Sequence, residues 1–244
     1  MPRERLDFLL VQRGLCPSRE QAKRLILAGE VLVNDKCLDK PGILVGHDAA
    51  IFIKEPPRFV SRGGLKLEGA LEYFQIDVTG AIALDIGAST GGFTDCLLQR
   101  GASRVHAFDV GTNQLVWKLR QDPRVRSREN YNMRYLKPED IGEPLDILVA
   151  DVSFISLTLV LPPAIELLRA GGCGLVLVKP QFELSREEVG KGGIVREAEL
   201  HEKACQRIQS FIEQRSDCQW QGLMPSPIHG MDGNREFLAW FQRY

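Results

Sequence analysis

The sequence predicts an α/β chain: a mostly parallel, doubly wound sheet ending in an antiparallel hairpin, preceded by a small α+β module. Three observations carry this reading. From residue 80 onward, short apolar strands alternate with helices, the pattern of parallel strands joined by crossovers. The last two strand-like segments, joined through Gly230–Gly233, read as a hairpin added to that sheet. Before Pro56-Pro57 the pattern is instead αα-β-β over about 55 residues, a size at which many domains fold alone.

In chain order, Leu6, Leu9 and Leu10 mark a short amphipathic helix ended by Gly14. Ser18 caps a second helix with Ala22, Leu25 and Ile26 on its apolar face, stopped by Gly29. Glu30–Val33 is a strand entering a tight turn at Asn34-Asp35-Lys36. Val45–Asp48 reads as a turn and Ala50–Ile53 as a strand, with Lys54–Pro57 as a linker. The boundaries are therefore 1–57 for the module with its linker and 58–244 for the main domain.

In the main domain, strands are expected at Ala81–Ile86, Val105–Phe108, Leu145–Ala150, Gly174–Val178, Gln219–Pro225 and Glu236–Phe241. Helices are expected at Gly92–Gln99, Asn113–Arg120, Val160–Arg169 and Ala198–Gln214. Ser185–Arg196, with three glycines, reads as a flexible loop, either able to close over a substrate or simply disordered.

Composition narrows the function classes. With 44% hydrophobic and 26% charged residues, the 244-residue chain is globular, not disordered, collagen-like or fibrous. Net charge is −1, but residues 1–66 hold twelve Lys/Arg against eight Asp/Glu, a balance of +4. The remaining 19 basic and 24 acidic residues leave −5, so an anion-facing module precedes an acidic body. The six cysteines show neither CxxC nor Cys/His ligand spacing, which argues for free thiols in a reducing cytoplasm and against a disulfide or zinc framework. Met1–Arg5 opens no signal peptide, and no apolar run is long enough to span a bilayer.

The strongest local signal is Asp85-Ile-Gly87-Ala88-Ser89-Thr-Gly91-Gly92-Phe93-Thr94, a strand running through a glycine-rich turn into a helix. Such glycines admit a ligand close to the backbone and leave helix N–H groups free. The turn has no lysine, which disfavours a nucleotide-phosphate cradle, and it is not GxGxxG. An acidic residue before the turn suits S-adenosylmethionine, which has an amino-acid end and no phosphate. Asp109 ends the next strand, where a carboxylate accepts both ribose hydroxyls. Asp151 and Lys179 each end a later strand and are either a structural ion pair or functional groups on the ligand face.

These segments resemble methyltransferases of the FtsJ type, which modify ribose 2′-oxygens. Over its whole length the chain resembles the TlyA family, often labelled haemolysin A, in which an αL RNA-binding module precedes an FtsJ-like domain. The matching segments are Ser18-Arg19 through Val33-Asn34, Arg58–Leu67, Asp85–Thr94, Asp151–Leu157, Val178–Phe182 and Gly233–Phe237.

The resemblance implies a Rossmann-like domain that methylates a ribose 2′-OH in ribosomal RNA, on a cytidine, with S-adenosylmethionine as donor. It implies a cytoplasmic monomer, with neither metal nor membrane. Its catalytic tetrad falls on Lys66, Asp151, Lys179 and Glu236. A ribose hydroxyl must lose its proton as it attacks a sulfonium methyl, and Lys179 is the residue expected at that oxygen, as base or as orienting group. Glu129 and Asn130 are expected near the adenine, and Arg5, Arg19, Lys23, Arg24 and Arg62 at RNA phosphates. The alternatives are a membrane-active haemolysin, which the lack of a spanning segment opposes, and a non-catalytic RNA-binding protein, which the intact tetrad opposes.

Overall fold

The computed structural model describes residues 3–54, 57–190, 192–230 and 233–244. Parts of three expected segments lie outside these residues: Glu55 and Pro56 of the linker, Lys191 of the 185–196 loop, and Met231 and Asp232 of the last link. The chain forms two compact units, Met1–Arg58 and Phe59–Tyr244.

The first unit runs β1 (Arg3–Arg5), α1 (Leu6–Gln12), α2 (Arg19–Leu27), β2 (Val31–Val33), β3 (Lys36–Cys37), β4 (Leu44–Gly46) and β5 (Ile51–Ile53). Its core joins Leu6, Leu9 and Leu10 of α1 with Ala22 and Ile26 of α2 and the inward residues of the strands. Ser18 caps α2 by accepting the Gln21 N–H. Asn34 and Asp35 both take positive φ, the pair of conformations that lets a two-residue turn match the strand twist. Val45 and Gly46, expected to open a turn, instead end a short strand, Leu44–Gly46, paired antiparallel with β1. Three residues are too few to show a period-2 pattern, so the pairing is visible only in space.

The second unit begins with α3 (Gly63–Tyr73) and continues β6 (Ile82–Ile86), α4 (Gly92–Gln99), β7 (Arg104–Phe108), α5 (Trp117–Arg120), β8 (Val125–Arg128), α6 (Pro138–Ile141) and β9 (Leu145–Ala150). There follow α7 (Leu157–Ile165), β10 (Leu168–Val178), α8 (Pro180–Glu183), α9 (Ala198–Glu213), β11 (Cys218–Pro225) and β12 (Phe237–Arg243). The sheet order is β11-β12-β10-β9-β6-β7-β8; β6 to β10 are mutually parallel, and β12 runs antiparallel to β10 and β11.

Both faces of the sheet are covered, as its run of parallel strands requires. On one, Leu175 and Leu177 of β10 pack with Leu67 and Leu71 of α3 and Leu97 of α4. On the other, Leu84 and Ile86 of β6 join Leu161 and Ile165 of α7 and Ile208 and Ile212 of α9.

Two helices differ from expectation. Within Asn113–Arg120 only Trp117–Arg120 is helical, because the Glu129 carboxylate accepts the N–H groups of Asn113, Gln114 and Leu115 and holds them in a loop. The helix expected at Val160–Arg169 starts earlier, at Leu157, since Ser156 supplies an N-cap, and Leu168 already belongs to β10.

Candidate active site

Chain order reverses between β6 and β9, where a doubly wound sheet opens a crevice beyond its strand ends. Gly87 follows β6 with φ +80°; a Cβ there would stand 2.5 Å from the Asp151 carbonyl oxygen, so this turn can pass the end of β9 only as glycine. Ser89, at φ +49°, gives its N–H to Asp109 Oδ2 at 2.7 Å, and Gly111 N–H takes Oδ1 at 2.6 Å.

A cleft of about 480 Å³ opens at this point. Its lining includes Lys66, Asp151, Lys179 and Glu236, together with Gly87, Ala88, Ser89, Gly92, Phe93 and Arg62. Lys66 reaches in from α3 and donates to Glu236 Oε2 at 2.5 Å; the two side chains are 10% and 3% exposed. Lys179, at the end of β10, stands 2.6 Å from Asp151 Oδ1 and donates to Ser153 Oγ at 2.9 Å. The approach to Asp151 is off the hydrogen-bonding direction, so that contact is one of charge, and the aligned bond goes to Ser153. Two ammonium groups and two carboxylates thus share one cleft as two pairs. Deleting one partner would leave a shielded charge uncompensated.

Other expected residues lie behind the cleft. Asp85 and Thr94 are both fully buried beneath the turn, with Thr94 Oγ1 donating to Asp85 Oδ2 at 2.6 Å. Burial pushes the Asp85 carboxyl up to about 7; the Thr94 bond opposes this and the Asp151 charge adds to it. Gly91 backs onto Leu115 and Leu119. Glu129 and Asn130 are committed to the loop beside Asp109. Glu129 accepts three backbone N–H groups and Arg120 Nη2, while Asn130 Oδ1 accepts the Thr112 hydroxyl at 2.7 Å. Although burial works the other way, those backbone bonds and the Arg120 charge hold the Glu129 carboxyl below its ordinary range. The pair expected near an adenine therefore has its polar groups engaged in shaping the 111–115 loop.

In the first unit, Arg5 and Arg19 converge on Asp7, whose carboxylate is shielded from water. Lys23 and Arg24 are exposed on α2 and form no ion pair with a described residue.

Sequence reasoning did not single out Ser153, Phe154, Gln181 or Phe182, all of which line the cleft. Phe154 is 92% exposed at φ +65°, a conformation unusual for an aromatic residue, and its ring lies 5.1 Å from that of Phe182. The available signal was an aromatic residue among small polar ones just past a strand end.

The chemistry of this site suits a ribose-bearing ligand without phosphate. The turn holds no lysine, and each Asp109 oxygen accepts one N–H and keeps a lone pair for a hydroxyl. Residues 59–243 match the FtsJ-like methyltransferase family, and residues 4–51 match the S4 domain. Fold and match together define an FtsJ-like methyltransferase domain preceded by an S4 domain.

The relatives narrow this further. The chain is 52% identical over 238 residues to a putative rRNA methyltransferase, YqxC, of Bacillus subtilis, covering 97% of this chain and 84% of the relative. It is 43% identical to the 16S/23S rRNA (cytidine-2′-O)-methyltransferase TlyA of Mycobacterium tuberculosis, covering 98% and 90%. A solved structure of a putative hemolysin from Streptococcus thermophilus superposes with a TM-score of 0.75 at 50% identity, covering 100% of this chain and 89% of that one. The chain belongs to the TlyA family. Among the described residues no helix is long and apolar enough to cross a membrane.

Proposed function

We propose that this protein transfers a methyl group from S-adenosylmethionine to the 2′-oxygen of a ribose in ribosomal RNA, a cytidine being the nucleoside that its relative's name gives. The observation that carries the reading is the pair of lysine–carboxylate contacts in one cleft beside the glycine-rich turn.

S-adenosylmethionine supplies an electrophilic methyl on a sulfonium. The chain's residues do the rest. The turn from Gly87 to Phe93 admits the ligand to the backbone, and Asp109 accepts its ribose hydroxyls. Lys179, aimed by Ser153 and balanced by Asp151, meets the RNA 2′-oxygen, taking its proton as a neutral amine or orienting the hydroxyl as an ammonium donor. Lys66 is paired with Glu236, whose charge offsets its own, so that the two ammonium groups can share one cleft. Arg62 at the rim, and the Phe154–Phe182 ring pair beside it, offer a phosphate contact and a stacking surface for the nucleotide.

Residues 1–57 supply RNA affinity and 58–244 the chemistry. All four tetrad residues come from one chain, so a monomer suffices, working in the cytoplasm where its RNA is. The experiment is transfer of labelled methyl groups to ribosomal RNA by wild type and Lys179→Ala. The variant should lose about 10²-fold or more in turnover, the lower range for an acid–base group, while binding S-adenosylmethionine as wild type does. Near wild-type turnover in the folded variant would remove Lys179 from the reaction.

A further inference from the structure

The tetrad does not explain how the loops after β9 and β10 keep their relative position. They touch at three places. Lys179 meets Asp151 and Ser153, Phe182 meets Phe154, and Glu183 meets Ser156 and Leu157. The first two contacts lie in the cleft and are open to substrate. The third is sealed: Glu183 is 2% exposed, its Oε2 lies 2.5 Å from Ser156 Oγ, and its Oε1 accepts the Leu157 N–H at 2.8 Å. Arg207 of α9 fixes the same residue by donating to its carbonyl at 2.6 Å.

We propose that Glu183 is a positioning residue for methyl transfer: its buried carboxylate locks the loop bearing Asp151, Ser153 and Phe154 against the segment bearing Lys179 and Phe182. The proposal rests on the methyltransferase reading given above.

Glu183 and Lys179 bracket the single turn of α8, so a displacement at one end is passed to the other. Ser156 and Leu157 close the loop that begins at Asp151, and within it Phe154 holds a left-handed backbone that an aromatic residue adopts only under outside constraint. Remove the carboxylate and the buried Leu157 N–H loses its acceptor, while the Ser156 hydroxyl is left to Thr158 Oγ1 at 2.8 Å. The loop then relaxes, and Asp151 and Ser153 no longer aim the Lys179 ammonium. Burial pushes the Glu183 carboxyl above its usual range, against the Ser156 and Leu157 bonds. Glutamine keeps the shape and can fill both contacts: its carbonyl accepts from Leu157 and its amide donates to Ser156.

The test compares wild type with Glu183→Ala, Glu183→Gln and Ser156→Ala. All should bind S-adenosylmethionine with wild-type affinity by calorimetry. Glu183→Ala should lower kcat by between about tenfold and a hundredfold with KM for S-adenosylmethionine unchanged, as expected for a displaced reacting group. Glu183→Gln should restore most of it, and Ser156→Ala should fall between. Amide hydrogen exchange should quicken in the 151–157 segment of Glu183→Ala and stay unchanged in 87–94. Wild-type kcat or wild-type exchange in the folded alanine variant overturns the proposal. If that variant does not fold, Ser156→Ala decides by the same two readouts. If wild type fails to methylate ribosomal RNA while exchange responds as stated, the lock stands and it is the RNA reading that falls.

Discussion

Asp7 and Asp85 are both shut off from water, one in each unit, yet their environments drive them in opposite directions. Asp7 sits near the surface, roofed by the half-exposed side chains of Arg5 and Arg19. The Arg5 hydrogen bond, against the cost of burial and with help from Arg19, brings its carboxyl down to about 2. Asp85 lies in the middle of a seven-stranded sheet with a threonine hydroxyl for company, and burial brings it up to about 7. Exclusion of water sets the cost of a charge; the partner and the depth decide whether the charge is kept. The first arrangement turns a carboxylate inward and two cations outward, and it holds a small fold together. The second lets a buried carboxyl keep its proton up to a pH of about 7 beneath the turn of a cleft.

The two aspartates should give opposite pH slopes. Asp85 has a folded pKa above its unfolded one, so the native state keeps a proton that the unfolded state releases. Stability therefore falls as pH rises from about 4 to about 7, by at most about 4 kcal/mol. Between pH about 4 and pH about 8, the two sides of that window, denaturant midpoints should fall less in Asp85→Asn than in wild type; equal falls would mean that Asp85 ionises freely. Asp7 has a folded pKa below its unfolded one. Its contribution, about 2–3 kcal/mol, is full above pH about 4 and is lost as pH falls toward 2. Asp7→Asn should lower the stability of the first unit at pH about 7 by that amount and flatten its acid limb; an unchanged acid limb would show that the two arginines do not hold the fold.

The smallest expected effect separates the cations of the first unit from one another. Lys23→Ala with Arg24→Ala should leave stability within about 0.5 kcal/mol of wild type. It should weaken RNA binding about equally for different sequences and reduce the salt slope. Arg19→Ala should cost both stability and RNA affinity, because Arg19 also faces Asp7. Filter binding at two salt concentrations beside a thermal melt checks this. Identical profiles for Lys23→Ala/Arg24→Ala and wild type would place RNA contacts elsewhere.

Much of the sheet was legible because apolar strands and glycine-rich turns are local signals. The strand Leu145–Ala150 and the helix Gly92–Gln99 lie where the pattern puts them. What was missed depends on distant partners. The 113–116 stretch is kept from helix by Glu129, more than a dozen residues on. Glu183 reads in sequence as one more acid after Pro-Gln-Phe, and only the packed loop shows it to be buried. Asp151 and Lys179 were legible as strand-end groups able to pair, and the tetrad as a set was named by resemblance. The other pairing was beyond any local pattern, since Lys66 and Glu236 are separated by 170 positions.

That separation has a temporal consequence. Glu236 stands at the entrance to β12, which lies between β10 and β11 although it follows both in chain order. On a ribosome, every other part of the cleft emerges first, and β10 waits with one edge bare. Until β12 inserts, Lys66 has no counter-charge and β11 has no neighbour in the sheet. Assembly of the cleft and protection of the sheet edge thus hang on the same strand, and a chain caught before β12 docks is open to edge-to-edge pairing along β10.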